Sequence, residues 1–281
     1  MAALTLLILG AFSTSVARAA PSLNCIASNT GPGGLLDVVV SGTSSSSDSL
    51  RIVASGGTYS LFFDNGGGPT PVCSTYPDSG ASGYPTVEVT GTLLSTTFSA
   101  SDSGLTFVGE AGITNTLDFF QASGSGLVVN VSGVTVNGQA TDTARLGATT
   151  DSFSGITSFA GLSVGNSVFL AGGTGGYTFT AFGSGNVLDL SEAGTGATVS
   201  VPAGTVSGLT SGDDQFSGIS TFFGSSSGGT TLISGSSGLA FHGQGMGNAL
   251  DFSQVTTSSL TPLCINVSGV PVSTASCGTV A

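Results

Sequence analysis

Short runs in which apolar and polar residues alternate occupy most of the chain after its first twenty residues. Examples are Val129-Asn130-Val131 and Val199-Ser200-Val201, where every second side chain is apolar. Because successive side chains of a β-strand point to opposite faces, this alternation is typical of a strand with one buried face. The sequence contains no long run with the spacing of an amphipathic helix, and its 46 Gly residues disfavour helices further. The pattern predicts an all-β protein.

Two motifs recur in a fixed order along the chain. The motif N-x-L-D-[FL] occurs three times, with its aspartates at Asp118, Asp189 and Asp251, which are 71 and 62 residues apart. The motif D-x-F-S-G-I-[TS]-[ST]-F begins at Asp151 and, 63 residues later, at Asp214. Two motifs with nearly the same period indicate an internal repeat, which usually encodes a solenoid or an array of small modules.

The first two repeats contain the same predicted strands, and the third is a half repeat that stops before its F-S-G-I motif. An aromatic strand precedes the N-x-L-D motif and is predicted at residues 105–107, 177–179 and 239–241. An alternating valine strand follows it, at residues 129–133, 199–201 and 265–269. A further short strand is predicted at residues 134–136 and 205–207, and a last strand at residues 167–170 and 230–233.

A repeat of 62–71 residues fits two architectures. One is a small β-sandwich module, and the other is about three coils of a parallel β-solenoid, whose coils stack ~4.8 Å apart. Gly-rich corners and ladders of Phe, Leu and Ile favour the solenoid, because equivalent positions of successive coils stack. We predict an all-β, parallel β-solenoid of the β-helix or β-roll kind, with repeats at residues 104–173, 174–235 and 236–281.

The region before the repeats is less regular. Residues 21–103 are predicted to form an N-terminal cap or a small β domain, since the end of a solenoid needs cover for its edge strand. Within this region, Leu35-Leu36-Asp37-Val38 resembles a decayed N-x-L-D motif. Residues 64–84 are rich in Gly, Pro and Ser and are predicted to be a long loop.

Residues 1–20 are predicted to be a secretory signal. A short apolar core at residues 4–12 precedes Ala17-Arg18-Ala19-Ala20, a small-residue pattern typical of signal cleavage. This core is too short to span a bilayer, and no later stretch is predicted to do so. The predicted location is therefore secreted or at the cell surface.

The cysteines fit an exported protein. There are four, and an even number in an exported chain indicates disulfides. Three connectivities are possible. The simplest pairs Cys25 with Cys73 and Cys264 with Cys277, giving one bridge at each end of the chain, and the other two connectivities stay open.

The charge balance narrows the class of partner. The formal net charge is −12, with three Arg and no Lys. Nucleic acids and anionic membrane surfaces are recognised through clustered Lys and Arg, so both are disfavoured as partners. Divalent cations and neutral polymers are compatible with this composition. The predicted partners are glycans or a host or cell surface.

Segments of the repeats resemble a known family. The sequence Gly183-Ser184-Gly185-Asn186-Val187-Leu188-Asp189 and residues 210–222, TSGDDQFSGISTF, resemble exported bacterial proteins with RTX-like, haemolysin-type calcium-binding repeats. The resemblance covers roughly residues 104–281. Its calcium motifs are degenerate, since Val187 and Ala249 stand where the family has Asp. The resemblance implies a parallel β-roll that binds Ca²⁺.

The resemblance also implies calcium ligands at the N-x-L-D motifs. The candidate ligands are the Asp and Asn side chains of the three copies: Asp118, Asp189, Asp251, Asn115, Asn186 and Asn248. Ca²⁺ takes 6–8 oxygen ligands, so each site would also need backbone carbonyls. The alternative hypothesis is structural. In it, Asp accepts bonds from backbone N–H groups at a corner, as in an Asx-turn, and Asn forms a corner ladder or a left-handed turn.

Three patterns bear on catalysis or modification. Residues 224–228 match G-x-S-x-G and His242 is the only histidine, but the strand–turn–helix context of a nucleophile elbow is not predicted. Asp213-Asp214 is an adjacent carboxylate pair, and polysaccharide-cleaving enzymes use carboxylates in pairs. Asn130 and Asn266 begin glycosylation sequons at equivalent repeat positions, which strand patterning explains equally well.

The predicted function is that of a secreted or cell-surface, non-enzymatic β-repeat protein with a structural or adhesin-like role. Rows of Ser, Thr and Asn along an extended polar face would make multivalent, shallow contact with a polymer or a surface. An RTX-like calcium-binding exported protein is the first alternative, and a polysaccharide-active β-helix enzyme is the second. No cofactor is predicted apart from the calcium of the first alternative.

Overall fold

The structure is a computed structural model that describes residues 22–28, 34–41, 49–64, 69–77, 85–91, 95–100, 104–235 and 238–255. These residues form 23 β-strands and no helix, which confirms the all-β prediction. Accordingly, none of them belongs to a helix able to cross a membrane. The predicted signal at residues 1–20, the valine strand at 265–269 and the cysteines of the second predicted disulfide lie outside the described residues.

The described strands are arranged in two sheets. Sheet A has eleven strands, in the spatial order β1 (Ser22–Ser28), β2 (Leu35–Ser41), β6 (Thr86–Gly91), β8 (Thr106–Val108), β12 (Thr149–Ser154), β11 (Thr143–Leu146), β10 (Leu127–Val131), β14 (Val168–Gly172), β16 (Val187–Glu192), β20 (Thr221–Phe223) and β22 (Ala240–His242). Sheet B has twelve, in the order β23 (Ala249–Asp251), β21 (Thr231–Ile233), β17 (Thr198–Ser200), β18 (Thr205–Ser207), β19 (Asp214–Ser217), β15 (Thr178–Thr180), β13 (Ser158–Ala160), β9 (Thr114–Asp118), β7 (Ser95–Ala100), β3 (Ser49–Ser55), β4 (Thr58–Asp64) and β5 (Thr70–Pro77).

The chain passes from one sheet to the other after most strands. Neighbouring strands within a sheet are therefore mostly parallel; β13, for example, lies between β9 and β15 and is parallel to both. Inward side chains stack in register along each sheet. One ladder in sheet B consists of Phe98, Leu117, Phe159, Phe179 and Phe216. The facing ladder in sheet A consists of Val129, Phe169, Leu188, Phe222 and Phe241.

The two ladders form one core between the sheets. Phe169 of sheet A and Phe179 of sheet B have ring centroids 5.1 Å apart. Phe153 of sheet A and Phe159 of sheet B are also 5.1 Å apart. Since the buried apolar residues form a single continuous cluster, each sheet is held by burying its inward face against the other.

Three-stranded antiparallel meanders interrupt the alternation. After β9, the chain forms β10 three places beyond β8 in sheet A. Strands β11 and β12 then return to fill the two places between them, with β12 parallel to β8. Strands β17, β18 and β19 do the same in sheet B, where β19 lies beside β15. Strands β3, β4 and β5 form the third meander, at the edge of sheet B.

Seven consecutive strands consequently form a unit that recurs. The strands β2–β8, β9–β15 and β16–β22 follow one scheme, and β23 begins a further unit. The first strands of these units lie alternately in sheets A, B, A and B. The D-x-F-S-G motif shows the result, because Asp151 begins its copy in sheet A and Asp214 begins its copy in sheet B. Equivalent residues of successive units thus belong to opposite sheets.

The N-terminal region follows the same scheme as the repeats. Asp37, in the sequence that resembles a decayed motif, lies in β2, the strand equivalent to β9 and β16. Both sheets continue across residue 103, the predicted domain boundary, because β6 pairs with β8 and β7 pairs with β9. The N-terminal region differs from the repeats at the edges of the two sheets. There the edge strand β1 is antiparallel to β2, and the edge strand β5 is antiparallel to β4.

Two local strand predictions are wrong. Residues 134–136 are not a strand but part of the connection from β10 to β11, which turns at Asn137 and Gly138, both with positive φ. The second strand of that meander is β11, where the sequence pattern predicts none. Residues 64–84 are not one loop, since they contain β5; its two prolines are tolerated because β5 is an edge strand. The other predicted strands within the described residues are confirmed to within two residues.

Candidate functional site

The aspartates of the N-x-L-D motif hold the turn that follows their strand. Each accepts, through Oδ1, a hydrogen bond from the backbone N–H two residues later. The pairs are Asp118 with Phe120 (2.8 Å), Asp189 with Ser191 (2.9 Å) and Asp251 with Ser253 (2.7 Å). These are Asx-turns, in which a side-chain carboxylate replaces a backbone acceptor. The structural hypothesis for the three aspartates is confirmed.

The asparagines of the N-x-L-D motif form hydrogen bonds to the D-x-F-S-G motif. Asn115 and Asn186 are 0% exposed. The Asn115 amide donates to the carbonyl oxygen of Gly155 at 2.8 Å, and the Asn186 amide donates to that of Gly218 at 3.1 Å. Gly155 and Gly218 are the equivalent glycines of the D-x-F-S-G motif. Neither these asparagines nor Asn248 has positive φ, so the left-handed-turn alternative is wrong for all three.

The motif glycines are required by the backbone. Gly155 and Gly218 have φ of 67° and 70°, a conformation that side chains disfavour. A Cβ at either position would also collide with a carbonyl oxygen of the neighbouring strand, that of Gly109 or that of Ala181. The recurring F-S-G sequence therefore marks the point where the chain turns from one sheet to the other.

The aspartates that begin the D-x-F-S-G motif are buried. Asp151 accepts a hydrogen bond from the backbone N–H of Leu105 at 3.0 Å, and Asp214 accepts one from that of Tyr177 at 2.9 Å. Leu105 and Tyr177 precede equivalent aromatic strands, so both units contain the same bond. Burial raises the pKa of Asp214 to about 6, because desolvation outweighs the stabilising hydrogen bond from the Tyr177 backbone.

The predicted calcium ligands do not converge on one place. Asp118 and Asp251 lie in β9 and β23 of sheet B, whereas Asp189 lies in β16 of sheet A. Seven strand steps separate β9 from β23, which corresponds to ~34 Å. Among the described residues, no three His, Cys, Asp or Glu side chains are grouped closely enough to hold a metal ion. Calcium binding stays a prediction that rests on the family resemblance.

The residues considered for catalysis lie in different environments. Ser226, of the G-x-S-x-G match, lies between β20 and β21 and donates its hydroxyl to the carbonyl oxygen of Ser191 at 2.7 Å. His242 is exposed in β22 and stacks on Phe223, with ring centroids 4.5 Å apart. In Asp213-Asp214, the first side chain is exposed and the second is buried.

Sheet A carries a shallow depression beside one N-x-L-D motif. Leu170, Asp189 and Glu192 are among the residues that line it. Its empty volume, including space open to solvent, is about 140 Å³. Pockets for small molecules usually enclose ~300–1,000 Å³, so this depression is too small for such a ligand.

The first glycosylation sequon is buried. Asn130 is 0% exposed, and its amide donates to the carbonyl oxygens of Val134, Gln139 and Ala140 at 2.9–3.1 Å. Its Oδ1 accepts hydrogen bonds from the backbone and the hydroxyl of Ser132. A buried amide with this many partners leaves no room for a glycan, so strand patterning explains this sequon. Asn266 lies outside the described residues.

The outer face of sheet B carries a row of uncharged polar side chains. Strand register places the following residues side by side across seven neighbouring strands: Thr97, Thr116, Ser158, Thr178, Gln215, Thr205 and Ser200. We name this set the hydroxyl row, although Gln215 contributes an amide. Gln215 is exposed and the other six are partly exposed. With six steps of ~4.8 Å, the row is ~29 Å long and runs at right angles to the strands.

The side chains of the hydroxyl row form no hydrogen bonds among the described residues, and the strands that carry them are fixed by the core. The residues that follow Thr116, Ser158 and Thr178 point inward and are 0% exposed, so these strands cannot shift without opening the core. Arg51 stands at one end of the row, beside Thr97, and its Nε donates to the hydroxyl of Ser99 at 3.0 Å.

The outer face of sheet A has a different surface. The hydroxyls of Thr106 and Ser152 are hydrogen-bonded to each other at 2.8 Å. The Thr90 hydroxyl donates to Oδ1 of Asp37 at 3.2 Å. Farther along the sheet, apolar outward residues such as Val168, Val187 and Phe223 alternate with polar ones. The polar outward residues are Asp189, Thr221 and His242. Some hydroxyls on this face are therefore used within the protein, while others, such as those of Thr86 and Thr221, are partly exposed and separated by apolar residues.

The sequence predicts polar rows without locating them. Six of the row residues begin strand triplets with an apolar centre, such as Thr116-Leu117-Asp118 and Thr178-Phe179-Thr180, and Ser200 ends one. This local signal is present in the sequence, but it is equally present in Thr221-Phe222-Phe223 of sheet A. Only the alternation of the units between sheets decides which triplets share a face.

The N-terminal end of the two sheets carries a cysteine bridge. Cys73, in β5, is disulfide-bonded, and no cysteine among the described residues is free. Cys25 lies in β1, and the edge strands β1 and β5 of the two sheets contact each other. The partner of Cys73 is not among the described side chains, so the pairing with Cys25 stays a prediction.

Comparisons with protein-family models, with curated proteins and with solved structures found no match. The chain's own residues are therefore the basis on which a function can be assigned. Of the features described, the hydroxyl row is the largest set of similar side chains that has no role in holding the fold.

Proposed function

We propose that the chain folds as a two-sheet parallel β-solenoid, in which one passage through both sheets makes one coil. The parallel pairing within each sheet supports this, as does the stacking of inward Phe, Leu and Val in ladders. The meanders are then places where one side of a coil carries three strands instead of one. Such a solenoid presents long, regular faces whose outward residues are set by strand register.

We further propose that the protein is secreted or displayed at the cell surface and has a non-enzymatic, structural or adhesin-like role. The outer face of sheet B is its binding surface. The observation that supports this most directly is the hydroxyl row, seven uncharged polar side chains on neighbouring strands with no partner within the described protein.

Such a surface binds through many weak contacts. One hydrogen bond to an exposed hydroxyl contributes only ~0.5–1.5 kcal/mol, because it replaces a bond to water. Contacts repeated along a rigid row add together once the first has formed, since the later ones are intramolecular. The row also loses little conformational freedom on binding, because the core already fixes the strands that carry it. These properties suit an extended, repetitive partner.

Retention on surfaces tests this function. The mature chain is incubated with insoluble polysaccharides and with cells, in calcium and after chelation, and the bound fraction is measured after washing. We expect retention that is the same with and without calcium. Retention that requires calcium, together with loss of the β circular-dichroism signal on chelation, would instead support the RTX-like alternative. Absence of retention on every surface would overturn the adhesin-like role and leave only a structural one.

A further inference from the structure

We propose that the partner of the hydroxyl row is a neutral, linear glycan that lies along the row, across the strands, with about one sugar ring per strand. This inference rests on the proposed function and adds the class and direction of the ligand. It assigns the contacts to seven side chains of sheet B and excludes sheet A.

The spacing of the row favours an extended chain. Neighbouring strands are ~4.8 Å apart, so the row offers one polar group at each such step over ~29 Å. A sugar ring in an extended glycan advances the chain by a similar length and presents hydroxyls on both edges. A ligand that repeats at this interval keeps its contacts in step with the strands. An extended peptide would instead bind through backbone hydrogen bonds, and it could form these only at the edge strand of a sheet.

The charge of the row favours a neutral ligand. All seven of its side chains are uncharged, and the chain as a whole has a net charge of −12. Among neighbouring residues, Arg51 lies at one end only, where Ser99 accepts its Nε hydrogen bond. An anionic polysaccharide would meet long-range repulsion without compensating cations along the row. A neutral glycan has no such penalty.

The width of the row favours a chain over a flat lattice such as ice. The adjacent row on the same face consists of Ser99, Asp118, Ala160, Thr180 and Ser217. It is interrupted by a charged and by an apolar residue, and Asp118 is engaged in its own Asx-turn. Regular polar contact is therefore continuous in one direction only, which is the contact that a single chain makes.

The experiment compares matched hydroxyl-to-methyl variants on the two sheets. The row variant is Thr116→Val with Thr178→Val, and the control is Thr86→Val with Thr221→Val at partly exposed positions of sheet A. Val keeps the β-branched shape and the strand preference of Thr, so both proteins should fold alike, as circular dichroism and thermal melts will show. Binding is measured with insoluble cellulose, with soluble neutral β-glucan oligomers of two to nine units, and with polygalacturonate.

We expect the row variant to bind the neutral glucan at least ~10-fold more weakly and the control to bind as the natural chain does. Affinity should rise with oligomer length until about seven units and then level off, since seven strands carry the row. Binding should also be insensitive to salt, because no ion pair is involved.

Three results would overturn this assignment. They are equal binding by the row variant and the natural chain, an affinity that levels off at two or three units, and a preference for polygalacturonate over neutral glucan. If the natural chain binds a surface but one of these results is found, the adhesin-like function stands and only the assigned ligand fails. If the natural chain binds nothing, both fail together.

Discussion

The outer faces of the two sheets are built on the same strand scheme but carry different surfaces. On sheet B, seven polar side chains stand in register without internal partners. On sheet A, Thr106 and Ser152 are hydrogen-bonded to each other and Asn130 is covered by its own connection. Apolar residues such as Val187 and Phe223 interrupt the outward polar positions beyond. The faces therefore differ in whether their outward polar side chains are bonded within the protein.

This difference separates residues that serve the fold from residues that are free to serve a partner. Inward Phe and Leu, the Asx-turn aspartates and the F-S-G glycines recur in successive units whichever sheet they occupy. Outward residues do not recur in this way. Thr116 of β9, for example, is replaced by Val187 at the equivalent position of β16. A surface shared by several units and unneeded for folding is the part of such an array where binding is to be sought.

The largest expected effect is a loss in the free energy of unfolding, which would show that both sheets depend on one core. Phe179→Ala removes a fully buried ring of sheet B that packs on Phe169 of sheet A and on Phe159. We expect a loss of about 3–5 kcal/mol in the free energy of unfolding, from lost burial and the cavity left behind. Urea denaturation measures this. The control Thr180→Ala, on the outward side of the same strand, should change it by less than about 0.5 kcal/mol. Equal losses for both would contradict a shared aromatic core.

The next effect concerns the acid buried beneath the hydroxyl row. Burial raises the pKa of Asp214 from its usual value of 3.8 to about 6, so the folded protein holds this proton more tightly than the unfolded chain. The resulting stability is fully present below pH 4 and is lost as pH rises through 6, by an amount on the order of 3 kcal/mol.

Asp214→Asn tests this pH dependence. The Asn side chain keeps an acceptor for the Tyr177 backbone N–H but has no proton to lose. We expect its stability, measured by denaturation from pH 4 to pH 8, to fall less across this window than that of the natural chain. Asp213→Asn, a change at the exposed neighbour, should leave the slope nearly intact. An unchanged slope in Asp214→Asn would show that another group titrates.

A smaller effect distinguishes equivalent asparagines of the two sheets. In sheet A, the Oδ1 of Asn186 accepts a bond from the backbone N–H of Ser167 at 3.0 Å, whereas in sheet B the Oδ1 of Asn115 has no hydrogen-bond partner. Replacement of Asn186 by Ala leaves one more buried group unsatisfied. We expect Asn186→Ala to cost about 1 kcal/mol more than Asn115→Ala in thermal unfolding. Equal costs would mean that the acceptor bond does not contribute.

The sequence predicts the parts of this fold that depend on local chemistry. Alternating residues locate most strands, and the recurring Asp, Asn and Gly locate the turns, since each of these side chains acts on backbone within a few residues. The corner role of Asp118, Asp189 and Asp251 is predicted for the same reason, as one of two hypotheses.

The order of strands in space is not predictable in this way. Nothing in Val129-Asn130-Val131 shows that β10 lies three places beyond β8, because this depends on β11 and β12 returning later to fill the two places between them. The hydroxyl row depends on the same order, as Thr178 and Gln215 are neighbours in space but 37 residues apart in sequence. Long-range register thus decides which residues form the candidate site.

The smallest effect compares the hydroxyls of the two faces directly. Thr106→Val on sheet A removes a hydrogen bond to Ser152, so we expect a loss of about 1 kcal/mol in the free energy of unfolding. Thr116→Val on sheet B removes no bond and should change it by less than about 0.5 kcal/mol. Chemical denaturation of the two variants under identical conditions provides the comparison. A larger loss at Thr116 than at Thr106 would show that the row does serve the fold.

Because successive units begin in opposite sheets, the effect of adding units depends on whether their number is odd or even. A tandem duplication of the seven-strand unit β9–β15 would transfer every later strand to the opposite sheet. It would cut the hydroxyl row in two between Thr178 and Gln215. A duplication of two units would restore the face and add seven strands to each sheet, which corresponds to ~34 Å. Genes of this design can therefore lengthen one continuous surface only by even numbers of units. An odd number yields a molecule with part of its row on each side, able to bridge two objects.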